Sequence, residues 1–111
     1  MTRLAPPPSS PNCVSSRAPA SDREHHIAPL SGVSLEAAKK ALAAMPRTAL
    51  VKEEPGYAHY VVTSLIFRFK DDVELEEEGG LVHVRSASRT GYGDMGVNRK
   101  RVEALRKVVS G

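Results

Sequence analysis

Apolar residues recur at two spacings along this chain, and the change from one to the other marks its elements. Leu35, Ala38, Leu42 and Met45 stand three or four residues apart, which puts them on one face of a helix. Ser34 occupies the N-cap position, the Ala-rich composition favours helix, and Pro46 ends it because proline has no N–H to continue the ladder. TALVKEE, from Thr48, reads as a short strand, and Pro55-Gly56 as a turn. YAHYVVTSLIFRF, Tyr57 to Phe69, is rich in β-branched and aromatic residues and predicts a long strand. VELEEE from Val73 and LVHVRSAS from Leu81 are joined through Gly79-Gly80, which suits a two-residue hairpin. The helical spacing then returns. Asn98, Val102, Leu105 and Val109 share a stripe, with Arg99, Glu103, Arg106 and Lys107 mostly opposite, behind an N-cap near Asp94.

Short connections between successive strands imply antiparallel pairing. The expected fold is α+β: a four-stranded antiparallel sheet with two helices, N- and C-terminal to the strands, on one face, and an extended N-terminal arm. Residues 1–33 hold six of the eight prolines and form the Pro/Ser-rich arm, partly docked through the apolar IAPL segment. Residues 34–111 form a single α+β domain. A two-residue turn at Gly79-Gly80 sets Leu75 opposite Val84, Val73 opposite Ser86 and Glu77 opposite Val82, on the side that meets the helices. The other side pairs Glu74 with Arg85 and Glu76 with His83, and puts Asp72 diagonal to Arg85. The long strand is apolar on both sides, with Val61, Leu65 and Phe67 against Tyr60, Val62 and Ile66. The second face therefore needs a cover. It is either the arm, laid across the sheet beside Glu74 and Arg85, or a second copy of the chain in a homodimer.

The totals narrow the chemistry. A chain of 111 residues makes one domain. One cysteine, Cys13, allows no internal disulfide, and the four histidines lack the spacing of a structural zinc site, so neither metal nor cofactor is expected. The net charge of +3 is segregated: Asp71–Glu78 holds six acids, and Arg85–Gly111 holds seven Lys or Arg. The two blocks attract each other within the fold, and a basic C-terminal part also suits an anionic partner. Three Tyr and two Phe form no RNA-reading motif, so nucleic acid is not expected as a partner. No stretch is apolar enough to span a bilayer or to act as a signal segment. The default location is the cytoplasm, or the periplasm if the chain is trimmed from a longer precursor.

Three features carry candidate chemistry. Gly91, Gly93 and Gly96 spell G-x-G-x-x-G, but a dinucleotide fold needs a further parallel strand and an acidic residue ~20 positions on. Only 15 residues follow Gly96, and Asp94 sits where a phosphate would bind, so the motif reads as a strand-to-helix hinge. Arg89 and Arg99 flank it and leave room for a weaker anion site. Asp71-Asp72-x-Glu74 with Arg85 and Arg89 suits either acid–base work, helped by His59 or His83, or a structural ion-pair network; the network is the plainer reading. Strand alternation lets only Asp72 and Glu74 converge. Cys13 has no base near it in sequence and reads first as a small buried residue, second as a nucleophile.

SPNCVSS (Ser10–Ser16), FKDDVEL (Phe69–Leu75) and RSASRTGYGDMGVNRKRVEALR (Arg85–Arg106), with HIAPL (His26–Leu30) between, resemble the domain of unknown function 1499 family, small and mostly bacterial proteins. The likeness runs from about Leu4 to Val109. It implies that Pro11, Asn12, Cys13, Ser15, Ser16, Asp71, Asp72, Glu74, Arg85, Ser86, Ser88, Arg89, Gly91, Asp94, Gly96, Asn98 and Arg99 belong to the family pattern. Similar proteins often carry a second cysteine near position 7, where this chain has Pro7. The resemblance implies no activity. The reading is a soluble, non-enzymatic binding or accessory module that takes a small anionic or polar ligand, or a protein partner. Its candidate ligand-binding residues are Asp72, Glu74, Arg85, Arg89, Asn98 and Arg99, beside the arm. The alternative is a small hydrolase-like or thiol redox enzyme using Cys13.

Overall fold

The computed structural model describes residues 2–110. Its elements run β1 (Cys13–Ser15), β2 (Leu30–Ser31), α1 (Leu35–Ala43), β3 (Thr48–Glu54), β4 (Tyr57–Thr63), β5 (Lys70–Glu78), β6 (Leu81–Ser88) and α2 (Val97–Ser110). The architecture is α+β, with two helices and a mostly antiparallel sheet. The sheet has six strands, not four, in the order β1-β6-β5-β4-β3, with β2 also paired to β6. The two extra strands come from the proline-rich arm. Cys13 pairs with Ala87 and Ser15 with Arg85, while Leu30 pairs with Val82. Each stretch is only two or three residues, too short to show a period of two, yet each satisfies backbone groups along β6 that an edge strand would leave bare. The helices are also placed differently in the chain: α1 follows β1 and β2 instead of preceding all the strands.

The hairpin pairing follows turn chemistry. Gly79 and Gly80 take φ of 61° and 80°, the left-handed conformation that a tight turn needs and that costs glycine little. Leu75 therefore meets Val84, Val73 meets Ser86, Glu74 meets Arg85 and Glu76 meets His83. Ser34 caps α1, its side chain accepting the Ala37 N–H at 3.0 Å.

The long strand expected over 57–69 stops at Thr63. Residues 64–69 instead form the β4–β5 connection, closed where the Phe69 N–H meets Ser64 Oγ and the Ser64 N–H meets the Phe69 carbonyl, both at 2.8 Å. Lys70 already pairs with Thr63, so the chain must reverse within these six residues. No Gly or Pro announces the reversal; Arg68 supplies the positive φ, at 59°.

One core cluster joins Leu35, Ala38 and Leu42 of α1 and Val102 and Leu105 of α2 to Ala58, Tyr60, Val73, Leu75, Val82 and Val84 of the sheet. Ile27 and Leu30 from the arm complete it. The other face of the sheet is covered by the start of the chain. Leu4 is buried there, the Thr2 hydroxyl and the Arg3 N–H both donate to the Glu76 carboxylate, and Arg85 Nε donates to the Ala5 carbonyl at 2.9 Å. The Arg3 guanidinium lies over the Tyr57 ring, 5.2 Å from its centre.

Candidate functional site

Adjacent strands bring four of the six candidate residues to one sheet face. Asp72 and Glu74 alternate along β5, Arg85 lies opposite Glu74 on β6, and Arg89 follows the end of β6. Arg89 grips Asp72 with two parallel hydrogen bonds of 2.9 Å, and His59 Nε2 reaches the same carboxylate at 2.8 Å. The Arg89 guanidinium, helped by His59, holds the Asp72 carboxyl below its ordinary range against the opposing effect of burial. Glu74 accepts the Tyr57 hydroxyl and stands 3.8 Å from Arg85. Burial and the adjacent Glu74 push the Tyr57 phenol well above its ordinary value. Arg85 spends its other donors on the Ala5 and Pro6 carbonyls of the arm. These groups satisfy one another.

The remaining two candidates lie elsewhere. Asn98, fully buried at the start of α2, belongs to a second polar cluster on the helix side of the sheet. Ser86 Oγ donates to its side-chain oxygen at 2.6 Å, and Arg101 Nη1 donates there at 2.8 Å. Its amide nitrogen faces Asp94, Ser88 Oγ and the Asn12 carbonyl. Arg101 also pairs with Asp71 at 2.8 Å, so adjacent acids of β5 serve opposite faces, as strand geometry requires. Burial raises Asp94, but hydrogen bonds from Asn98 and from the Gly96 N–H outweigh it and hold the carboxyl below the ordinary range. Among the described residues Arg99 hydrogen-bonds only the Arg23 and Glu24 carbonyls, at 3.4 and 3.3 Å. Sequence reasoning missed Arg101, although its spacing of three from Asn98 puts it on the same helix face.

Cys13 is 1% exposed, and burial pushes its thiol up, against the opposing pull of Arg85. Among the described residues its sulfur hydrogen-bonds only the Val14 carbonyl, at 3.8 Å. His25, the buried histidine of the arm, is held between Asp22 at 2.8 Å and the Ser10 carbonyl at 2.9 Å. Among the described residues no three His, Cys, Asp or Glu side chains converge as a metal-binding group.

An open end of the sheet adds a feature absent from the sequence-derived candidates. The 64–69 loop and the 89–96 loop meet there around a cavity of about 350 Å³, lined by Ser64, Phe69, Asp71, Ser88, Gly91, Asp94 and Val97 among others. Leu65, Ile66, Phe67, Phe69, Tyr92 and Met95 stand exposed on these loops, and Phe67 stacks on Phe69 at 5.6 Å between ring centres. Arg89 is the candidate residue that reaches this end, its side chain half exposed and its N–H bonded to the Lys70 carbonyl at 3.1 Å. The signal was the apolar run SLIFRF itself, which strand propensity absorbed.

No helix among the described residues is long and apolar enough to cross a membrane. No curated protein matches the chain. A family model described as a protein of unknown function (DUF1499) matches residues 3–109. The match spans the arm, the sheet and both helices, and so both polar clusters; this chain belongs to the domain of unknown function 1499 family.

Proposed function

We propose that this chain is a non-enzymatic binding or accessory module that meets its partner at the open end of the sheet. There the 64–69 and 89–96 loops flank the cavity, Asp71 and Asp94 supply its polar lining, and the Asp72–Arg89 pair lies on the opposite face of the sheet, beside the arm. One observation carries the reading: six large apolar side chains stand exposed on the two loops that flank the cavity. Glu74 and Arg85 anchor the arm, Asn98 holds the 89–96 loop to α2, and Arg99 ties residues 23 and 24. The thiol-enzyme reading loses ground because a buried thiol with a raised pKa supplies little thiolate.

Anilinonaphthalene sulfonate, an apolar anionic dye, tests the surface. Its fluorescence rises with the native protein and falls back in the Ile66→Ser/Phe67→Ser variant, whose melting temperature is unchanged. Equal dye binding by both proteins overturns the assignment. Iodoacetamide tests the alternative: Cys13 in the native protein reacts far more slowly than a free thiol, and reaction at or above the free-thiol rate would restore the enzyme reading.

A further inference from the structure

The open end is more than an apolar patch, because its charges are layered. Apolar residues hold the tips of the two loops: Ile66 is 78% exposed and Met95 93%. Cations surround their bases. Lys70 begins β5, the Arg47 carbonyl is bonded to the Thr63 N–H at the end of β4, and Arg68 sits within the first loop. Lys100 lies one turn into α2, beside Gly96. Among the described residues none of these four cations pairs with a carboxylate. The acids at this end are already engaged: Asp71 with Arg101, Asp72 with Arg89 and His59, Asp94 with the Gly96 and Asn98 N–H groups. At the far end of the same strands the cations are paired: Lys39 with Glu53, Arg17 with Glu78, and Arg3 and Lys52 with Glu54.

We propose that this end docks on the surface of an anionic lipid bilayer, with the tips of the 64–69 and 89–96 loops entering the boundary between headgroups and acyl chains. This rests on the binding-module reading above and names its partner. Apolar tips with a collar of cations match the two layers of such a surface, acyl chains below and phosphates above. The stems of Arg68 and Lys70 can follow the tips inward while their charges stay among the phosphates. The far-end cations Arg3, Arg17, Lys39 and Lys52 are neutralised by carboxylates, so the cations of the open end set the orientation. A protein partner would favour a broad flat patch; two short loops with exposed apolar tips and basic bases favour a bilayer.

Flotation with two vesicle types tests this: phosphatidylcholine alone, and equimolar phosphatidylcholine and phosphatidylglycerol. The protein floats with the anionic vesicles only, and added salt releases it. Ile66→Ser/Phe67→Ser and Arg68→Glu/Lys70→Glu each weaken partitioning at least about tenfold, at unchanged melting temperature. No flotation with anionic vesicles, or equal flotation with both types, overturns the proposal. If flotation fails while the loop-dependent dye signal survives, the lipid assignment falls and the binding-module reading stands. If both fail, both fall.

Discussion

Asp94 and Asn98 meet twice: the Asp94 carboxylate accepts the backbone N–H of Asn98 at 3.2 Å and its side-chain N–H at 2.7 Å. A residue of the glycine-rich loop thus caps the last helix and orients the amide that ties this helix to β6. Gly91 and Gly96, with φ of 84° and 78°, let the chain make that entry. The loop has the letters of a phosphate cradle, but the Asp94 carboxylate takes the Gly96 and Asn98 N–H groups at the helix entry.

Asn98→Ala strips partners from buried Ser86 and from the partly buried Asp94 and Arg101. The expected loss of unfolding free energy is about 3 kcal/mol, because several buried polar groups go unsatisfied at once. Urea unfolding measures it, and a loss below about 1 kcal/mol would mean the cluster contributes no more than an ordinary surface contact.

Glu76 gathers the arm: it takes Thr2, the Arg3 N–H and Arg17 on one buried carboxylate. Glu76→Gln weakens all three, costs about 1–2 kcal/mol and frees residues 2–8. Limited proteolysis should cut this segment several-fold faster in the variant. Equal rates would show that Leu4 and Arg85 hold the arm without Glu76.

Stability falls in acid. Arg89 holds Asp72 below its ordinary pKa. Burial raises Glu76 and Asp94, but their hydrogen bonds outweigh it and leave both lowered. A lowered carboxyl contributes stability that is complete above its unfolded value and lost as pH falls through its folded value. Urea midpoints should therefore stay nearly level down to about pH 5 and drop below about pH 4. Asp72→Asn should flatten part of that drop.

The two histidines act in opposite directions. The Ser10 carbonyl and Asp22 raise His25 against the effect of burial, so its contribution is complete below the unfolded value and fades as pH rises through the folded one. Burial and Arg17 lower His83, so its contribution is complete above the unfolded value and fades as pH falls through the folded one. Comparing stability at about pH 5 and about pH 8, relative to wild type, His25→Gln should lose more at the lower value and His83→Gln more at the higher. The reverse ordering would contradict both environments.

The hairpin gives a backbone test. Gly80→Ala forces a Cβ onto a φ of 80° and should cost about 1 kcal/mol, although no neighbouring atom is crowded. Gly79→Asn, at a φ of 61°, should be nearly neutral, since asparagine tolerates that conformation. Equal costs would mean that the turn relaxes into another type.

Local chemistry was enough to place α1, α2, the Pro55-Gly56 turn and the β5–β6 register, because caps, prolines and paired glycines act within a few residues. The same register put Glu74 opposite Arg85 and Asp72 diagonal to it. The sequence could not separate Asn98 and Arg99 from those residues, because a continuous motif does not show which side of a sheet each side chain takes. Nor could it show that Cys13–Ser15 and Leu30–Ser31 are strands, since their support is hydrogen bonding to a β6 fifty or more residues away in sequence. SLIFRF had the propensity of a strand and became a loop, because Lys70 pairs back onto Thr63 and leaves those six residues to make the turn. The sequence by itself determined the local elements and their charge pairs. Only the tertiary structure decided which edge the arm completes and which apolar residues stay uncovered, because both depend on contacts between segments far apart in the chain.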